Sequence, residues 1–344
     1  MKKSVLFTCI ILGSLLAFVF YTFLSTGFFR EINNSDGYGV IAKIPLKGAE
    51  DLTISYEDEI MIVSQDDRAA KFRDRNRKGG LFLINLKDPA FTPVALKSKV
   101  PLYPHGISLK KIDSIRYQLL VVNHYRQHTI EKFELIRDSL IHLQTVADPL
   151  LISPNDVVIL NEQQFYVTND HGYTSRMGLL AENYLGLNVS NVVFYDGESF
   201  REVAGGIGYA NGINISKDRK LLLVASPRKF SLRYYEIQEK GSLDFVRSLH
   251  VGSGIDNIEL DPEGNLWMGS HPNLLGFTSY AAGKAISAPS EIIYVSKEGV
   301  AESVFVNDGS VMSASSVVAP FKEFLFVGTV MDDFLVVLRK KDEQ

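Results

Sequence analysis

Short apolar runs recur along the chain, each about ten residues behind a small polar cluster. The runs are Ile60-Met61-Ile62-Val63, Leu119-Leu120-Val121-Val122, Phe165-Tyr166-Val167, Leu221-Leu222-Leu223-Val224 and Leu266-Trp267-Met268. Ahead of them stand Glu50-Asp51, His105-Gly106-Ile107, Asn155-Asp156, Asn211-Gly212 and Asp256-Asn257, spaced by 55, 50, 56 and 45 residues. A weaker sixth copy pairs Ser315-Ser316 with Phe324-Leu325-Phe326-Val327. Turn residues such as Tyr56-Glu57-Asp58 and Asp261-Pro262-Glu263-Gly264-Asn265 separate the runs, so each unit reads as short strands. A strand repeat of this length predicts one four-stranded blade per copy. The roughly 300 residues from Val40 onward then give an all-β fold, a six-bladed β-propeller with a central channel. The last strand, near residues 334–338, should pair with the first, near 40–42, and hide both open sheet edges.

Two stretches interrupt the pattern. Residues 66–78 are crowded with Asp, Arg and Lys and read as a solvated surface loop. Residues 174–187 read as a helix with Met177, Leu180, Tyr184 and Leu187 on one face and Leu179 beside them. Such a helix would serve as a lid, or rest on a bilayer surface.

The N-terminus changes the picture most. Lys2-Lys3 precede an uncharged stretch over residues 4–29, closed by Arg30-Glu31. A helix of that length spans about 30 Å of hydrocarbon. The two lysines place the N-terminus in the cytosol and the rest across the membrane, on the periplasmic, lumenal or extracellular side. An uncleaved signal anchor suits the length better than a cleaved signal peptide ending near Ser25-Thr26-Gly27, or a buried core helix. The expected organisation is an anchor over residues 1–30, a polar linker over 31–39 and a propeller over 40–344. With 46% hydrophobic residues and 22% charged, the chain can bury a large core, and a net charge of −4 argues against nucleic-acid binding. Cys9 is the only cysteine, so ring closure must rest on strand pairing.

Polar residues at one register of successive blades converge on the channel. Glu50, Asn155, Asn211, Asp256 and Asn257 offer two carboxylates and three neutral carbonyl oxygens, a donor set that suits calcium. Two negative charges against two positive leave such an ion able to polarise a substrate carbonyl. Asp51, Asp156 and the backbone carbonyl near Ile107 face the other way and would hold a second, deeper calcium. Each pair taken singly also reads as an ordinary turn; the shared register is what points to metal. His105, His124, His171 and His271 fall on the channel-facing register, and His128, His142 and His250 do not. His105 and His124, read as the start and end of one inner strand, form a candidate pair for taking a proton from water. No Gly-x-Ser-x-Gly elbow is present, so direct water attack is the simplest chemistry.

Several segments carry a family resemblance: Pro104-His105-Gly106-Ile107-Ser108, Val121-Val122-Asn123-His124, Asn155-Asp156-Val157-Val158, Thr168-Asn169-Asp170-His171, Ala210-Asn211-Gly212-Ile213-Asn214, Asp256-Asn257-Ile258 and Gly269-Ser270-His271-Pro272-Asn273. In order and spacing they resemble the paraoxonase/arylesterase family, over about residues 47–330. The resemblance implies a six-bladed propeller with two calcium ions that hydrolyses lactones and often aryl esters. It assigns the catalytic calcium to Glu50, Asn155, Asn211, Asp256 and Asn257, the structural one to Asp51, Asp156 and Ile107, and the histidine dyad to His105 and His124, with His171 and His271 against substrate. Three departures stand out. The closing disulfide of the animal members is impossible here, the first-blade loop is charged where theirs is apolar and tyrosine-bearing, and Ser270 replaces a common cysteine.

The leading expectation is a calcium-dependent lactonase and arylesterase acting on a small lipophilic substrate. The alternatives are a non-catalytic, membrane-anchored propeller that binds a partner, and a sugar lactonase similar to gluconolactonases.

Overall fold

The computed structural model describes residues 3–73 and 76–341. Between Tyr38 and Lys340 the chain forms six antiparallel sheets of four strands each. Five take their strands in chain order, starting at Ala49–Ser55, Pro104–Lys111, Pro154–Ile159, Ile213–Ile215 and Gly254–Leu260. These first strands contact one another around the channel. The sixth sheet starts at Ser315–Phe321 and borrows its outermost strand, Tyr38–Ile44, from the other end of the domain. That strand pairs with Leu335–Lys340, setting Val40 opposite Leu338 and Ala42 opposite Val337. The ring is therefore the expected six-bladed propeller, closed by strand pairing. The outer strand begins two residues before the expected boundary at Val40.

The apolar runs are the second strands of the blades, buried on both faces. Alternation sends Met61 and Val63 into a cluster shared with blade six, and Ile62 into one shared with blade two. Six such clusters fill the six interfaces between blades. Packing on both sides explains why these strands are unbroken apolar runs.

Helix α1 (Lys3–Ser25) contains a largely unburied apolar stretch, Leu6–Ser25, long enough to cross a membrane. Lys2 lies outside the described residues. Helix α2 (Arg176–Leu180) is much shorter than the expected helix and runs into a π turn, Ala181–Leu185, ended by Gly186 at φ 65°. Met177, Leu180, Tyr184 and Leu187 are exposed, and Glu182 is the buried residue instead. Its carboxylate accepts the backbone N–H groups of Tyr173 (2.7 Å) and Gly172 (3.2 Å), so the segment folds around a polar acceptor. Helix α3 (Leu274–Ala281) was not expected; Asn273 caps it by accepting the Gly276 N–H at 2.9 Å.

The charged loop is likewise not a free surface loop. Asp66, Asp67, Ala69 and Ala70 are buried, with a 3-10 turn at Arg68–Phe72. Arg77 donates twice to Asp66, and Ala69 packs against Tyr280 of α3, which together draw the turn inward. Asp74 and Arg75 lie outside the described residues.

Candidate functional site

The polar clusters sit where the first strands lose regular pairing. Register shifts fall between Ala49 and Asp51, Pro104 and Ile107, Pro154 and Val157, and Ile255 and Ile258. A bulge breaks the two-residue alternation and re-aims neighbouring side chains. Glu50 and Asp51 thus enter two different cavities. Two glycines let the strands approach: a Cβ on Gly106 would lie 2.2 Å from Asp156 Oδ1, and one on Gly212 2.4 Å from the Asp256 carbonyl oxygen.

One cavity of about 290 Å³ is lined by Glu50, Asn155, Asn211 and Asp256, from four blades, with His105, His171 and His271. Asn257 joins them, its Nδ2 donating to Glu50 Oε1 at 3.2 Å. Glu50 Oε2 and the Oδ1 atoms of Asn155, Asn211 and Asn257 are buried and accept no hydrogen bond. Buried oxygens without partners are costly, and four in one place meet the demand of a hard cation for oxygen ligands. Among the described residues no three His, Cys, Asp or Glu side chains form a metal-binding group; this set is two carboxylates and three carboxamides. Burial alone would push the Glu50 carboxyl up. His105 and Arg68, with the Asn257 hydrogen bond, instead pull it down to about 2. Asp256 moves up through burial, although His271 Nε2 bonds its Oδ2 at 3.0 Å.

Asp51, Ile107 and Asp156 line a separate, deeper cavity of about 70 Å³. Asp51 accepts the Ile107 N–H at 2.7 Å, and Asp156 accepts the Ile213 N–H at 2.9 Å, so each carboxylate ties its blade to a neighbour. Glu259 lines the same cavity. Burial, then repulsion from Asp156, pushes the carboxyls of Asp51 and Glu259 well up; burial does the same to Asp156.

His105 and His124 do pair, Nδ1 to Nε2 at 2.9 Å. They do not share an inner strand, however: His105 lies on the first strand of blade two and His124 just beyond the second, Arg116–Asn123. Antiparallel pairing of those strands brings the rings together. His105 Nε2 is 3.3 Å from Glu50 Oε1. Burial, then the charges of His105 and His128, hold the His124 imidazole well below its ordinary range, so it stays neutral near pH 7. His171 is held by Glu182 at 2.6 Å, and His271 stacks on Phe277 at a ring separation of 3.9 Å.

Leu274, Leu275 and Phe277 of α3, Tyr184 and Thr26 line the same cavity beside the oxygens. Thr26 follows directly on α1. Its carbonyl accepts the Leu274 N–H at 2.9 Å, Arg228 donates to the Ser25 carbonyl at 3.2 Å, and Arg30 forms a two-point bridge to buried Glu291 at 2.6 and 2.8 Å. The end of the apolar helix is therefore part of the cavity.

Sequence reasoning missed Arg68, Glu182, Tyr209 and Arg228 around this cavity, and Glu259 below it. Tyr209 lies two residues before Asn211, at φ 65°, a conformation bulky residues avoid. Only that adjacency, and the charge of the first loop, marked any of them in the sequence.

A family model described as arylesterase matches residues 72–337. The serum paraoxonase/arylesterase 2 of Rattus norvegicus is 35% identical over 270 residues, covering 74% of this chain and 75% of the relative. The serum paraoxonase/arylesterase 1 of Homo sapiens is 35% identical over 269 residues, with the same coverage of each, 74% and 75%. The serum paraoxonase/lactonase 3 of Oryctolagus cuniculus is 32% identical over 265 residues, 73% and 74% of the two chains. Among solved structures, a luciferin-regenerating enzyme superposes with a TM-score of 0.54 at 13% identity, covering 88% of this chain and 94% of its own. A chain of a nidogen/laminin complex gives 0.51 at 12% identity, over 76% and 80%. Identities this low speak to the shared fold alone.

Proposed function

This chain belongs to the arylesterase family, and from that premise we propose that it is a calcium-dependent hydrolase of lipophilic lactones and aryl esters. The observation that carries the reading is the group of four buried, partnerless oxygens from separate blades beside the His105–His124 pair. Glu50, Asn155, Asn211, Asp256 and Asn257 would hold one calcium ion, and Asp51, Asp156 and the Ile107 carbonyl a second. Bound at the first set, the ion supplies a Lewis acid that polarises the substrate carbonyl.

The protein's own groups do the rest. The His105–His124 pair takes a proton from the water that attacks the carbonyl carbon, and returns it to the departing alkoxide as the acyl C–O bond breaks. His271 fixes the orientation of Asp256, as Glu182 fixes that of His171. Leu274, Leu275, Phe277 and Tyr184 receive the apolar part of the substrate. Residues 1–30 would anchor the propeller, residues 40–344, on the extracytoplasmic side of a membrane, with 31–39 between them.

The test is a panel of lactones and aryl esters read by a pH indicator, using the full chain in detergent, with calcium and with a chelator. Hydrolysis abolished by chelation and restored by calcium is the expected result. Calcium binding without turnover of any panel member would overturn the enzymatic reading in favour of a partner-binding propeller.

A further inference from the structure

The most unusual group in the cavity is a cation. Arg68 opens the 3-10 turn of the first-blade loop and lines the cavity. Both terminal nitrogens of its guanidinium are buried without a hydrogen-bond partner. It is ion-paired with two carboxylates that lie beyond hydrogen-bond reach, Glu50 Oε2 at 3.8 Å from Nη2 and Asp66 Oδ2 at 3.8 Å from Nε. Asp66 is already engaged by Arg77. A second arginine, Arg228, lines the same cavity and also leaves its buried Nε unpaired. A guanidinium desolvated without partners is costly, and its planar fork of donors matches the paired oxygens of a carboxylate or phosphate.

The charges of the lining agree. Among the described residues that line it, Glu50 and Asp256 are the only carboxylates, and a divalent cation between them would cancel both. Arg68 is then left to share Asp66 with Arg77, and Arg228 donates to the neutral oxygens of Ser25, so the lining carries surplus positive charge. We propose that Arg68 is a specificity-determining residue that receives an anionic oxygen group, a carboxylate or phosphate, carried by the substrate beside its scissile ester or lactone. With the apolar side chains of Leu274, Leu275 and Phe277 lining the same cavity, the substrate class is an anionic amphiphile. The inference rests on the hydrolytic reading above.

The test uses the full chain in neutral detergent with calcium and two phenyl esters of equal acyl length, one ending in a methyl group and one in a carboxylate. Wild type should show a kcat/KM at least tenfold higher for the carboxylate ester. Arg68→Met should collapse that ratio towards one, and Arg68→Lys, which keeps the charge but loses the fork, should retain part of it. Raising the salt concentration should shrink the wild-type preference, a check independent of any folding defect in the variants. Calorimetry with a non-hydrolysable dicarboxylate of the same length should show at least tenfold weaker binding to Arg68→Met. Equal or better turnover of the neutral ester by wild type, or a ratio unchanged in Arg68→Met, would overturn the proposal. So would product inhibition that depends on Arg68 without any substrate preference, since the arginine would then read the carboxylate released by hydrolysis. If neither ester is hydrolysed yet dicarboxylate binding depends on Arg68, the anion site stands and the hydrolytic reading falls.

Discussion

His128 Nδ1 lies 2.8 Å from His124 Nδ1, which extends the His105–His124 pair outwards to an exposed ring. Register alone leaves His128 off the channel-facing set; the structure makes it the link between a half-buried pair and solvent. His128→Ala should lower kcat by roughly tenfold, the scale of losing an outer partner of a working group, and should displace the acid limb of the pH–rate profile. His250→Ala, on an exposed outer strand, should leave both unchanged. Steady-state kinetics between pH 5 and 9 would decide, and a His128→Ala profile that overlays wild type would remove His128 from the relay.

Asn211 Oδ1 is buried with no donor to satisfy it. Asn211→Ala deletes that oxygen, and calcium affinity measured by calorimetry should fall by at least about tenfold, with turnover falling in parallel. Unchanged affinity would mean that this oxygen does not face the ion.

The deeper cavity gives a pH dependence of stability. Asp51, Asp156 and Glu259 have carboxyls raised by burial, so without metal the folded chain holds protons that the unfolded chain releases above about pH 4. Above that point the unfolded state binds fewer protons, and stability must fall as pH rises through the raised values. Calcium needs the ionised forms, so the Tm gain on adding calcium should widen from pH 5 to pH 8. A gain that narrows over this range would contradict the assignment.

Gly106 has no room for a methyl group against Asp156. Gly106→Ala should cost about 1–3 kcal/mol through overpacking, seen as a drop in Tm of at least a few degrees. A Tm within one degree of wild type would show that the two strands can part freely.

Much of this architecture was legible because it repeats. Glu50-Asp51 and its counterparts recur ahead of the same apolar strand, and a closed ring of blades must bring one register together at its axis. What stayed hidden has no repeat to announce it. Arg68 reaches the cavity from a loop that looks merely solvated, and the inward pull comes from Arg77 and Asp66, a pairing within one loop. Glu182 sits in a segment whose spacing favours Met177, Leu180 and Tyr184 as the buried face, yet two backbone N–H groups decide otherwise. Glu259 lies two residues beyond Asn257 on the same strand and carried no separate signal.

Thr26 belongs both to the cavity wall and to the peptide that continues α1. The junction therefore serves two ends at once: the Ser25 and Thr26 carbonyls that finish the apolar helix also hold Arg228 and the start of α3 in place. Severing the chain beyond Thr26 would leave the Leu274 amide and the Arg228 guanidinium without those acceptors, so the shape of the cavity depends on a segment that the propeller's own ring does not need.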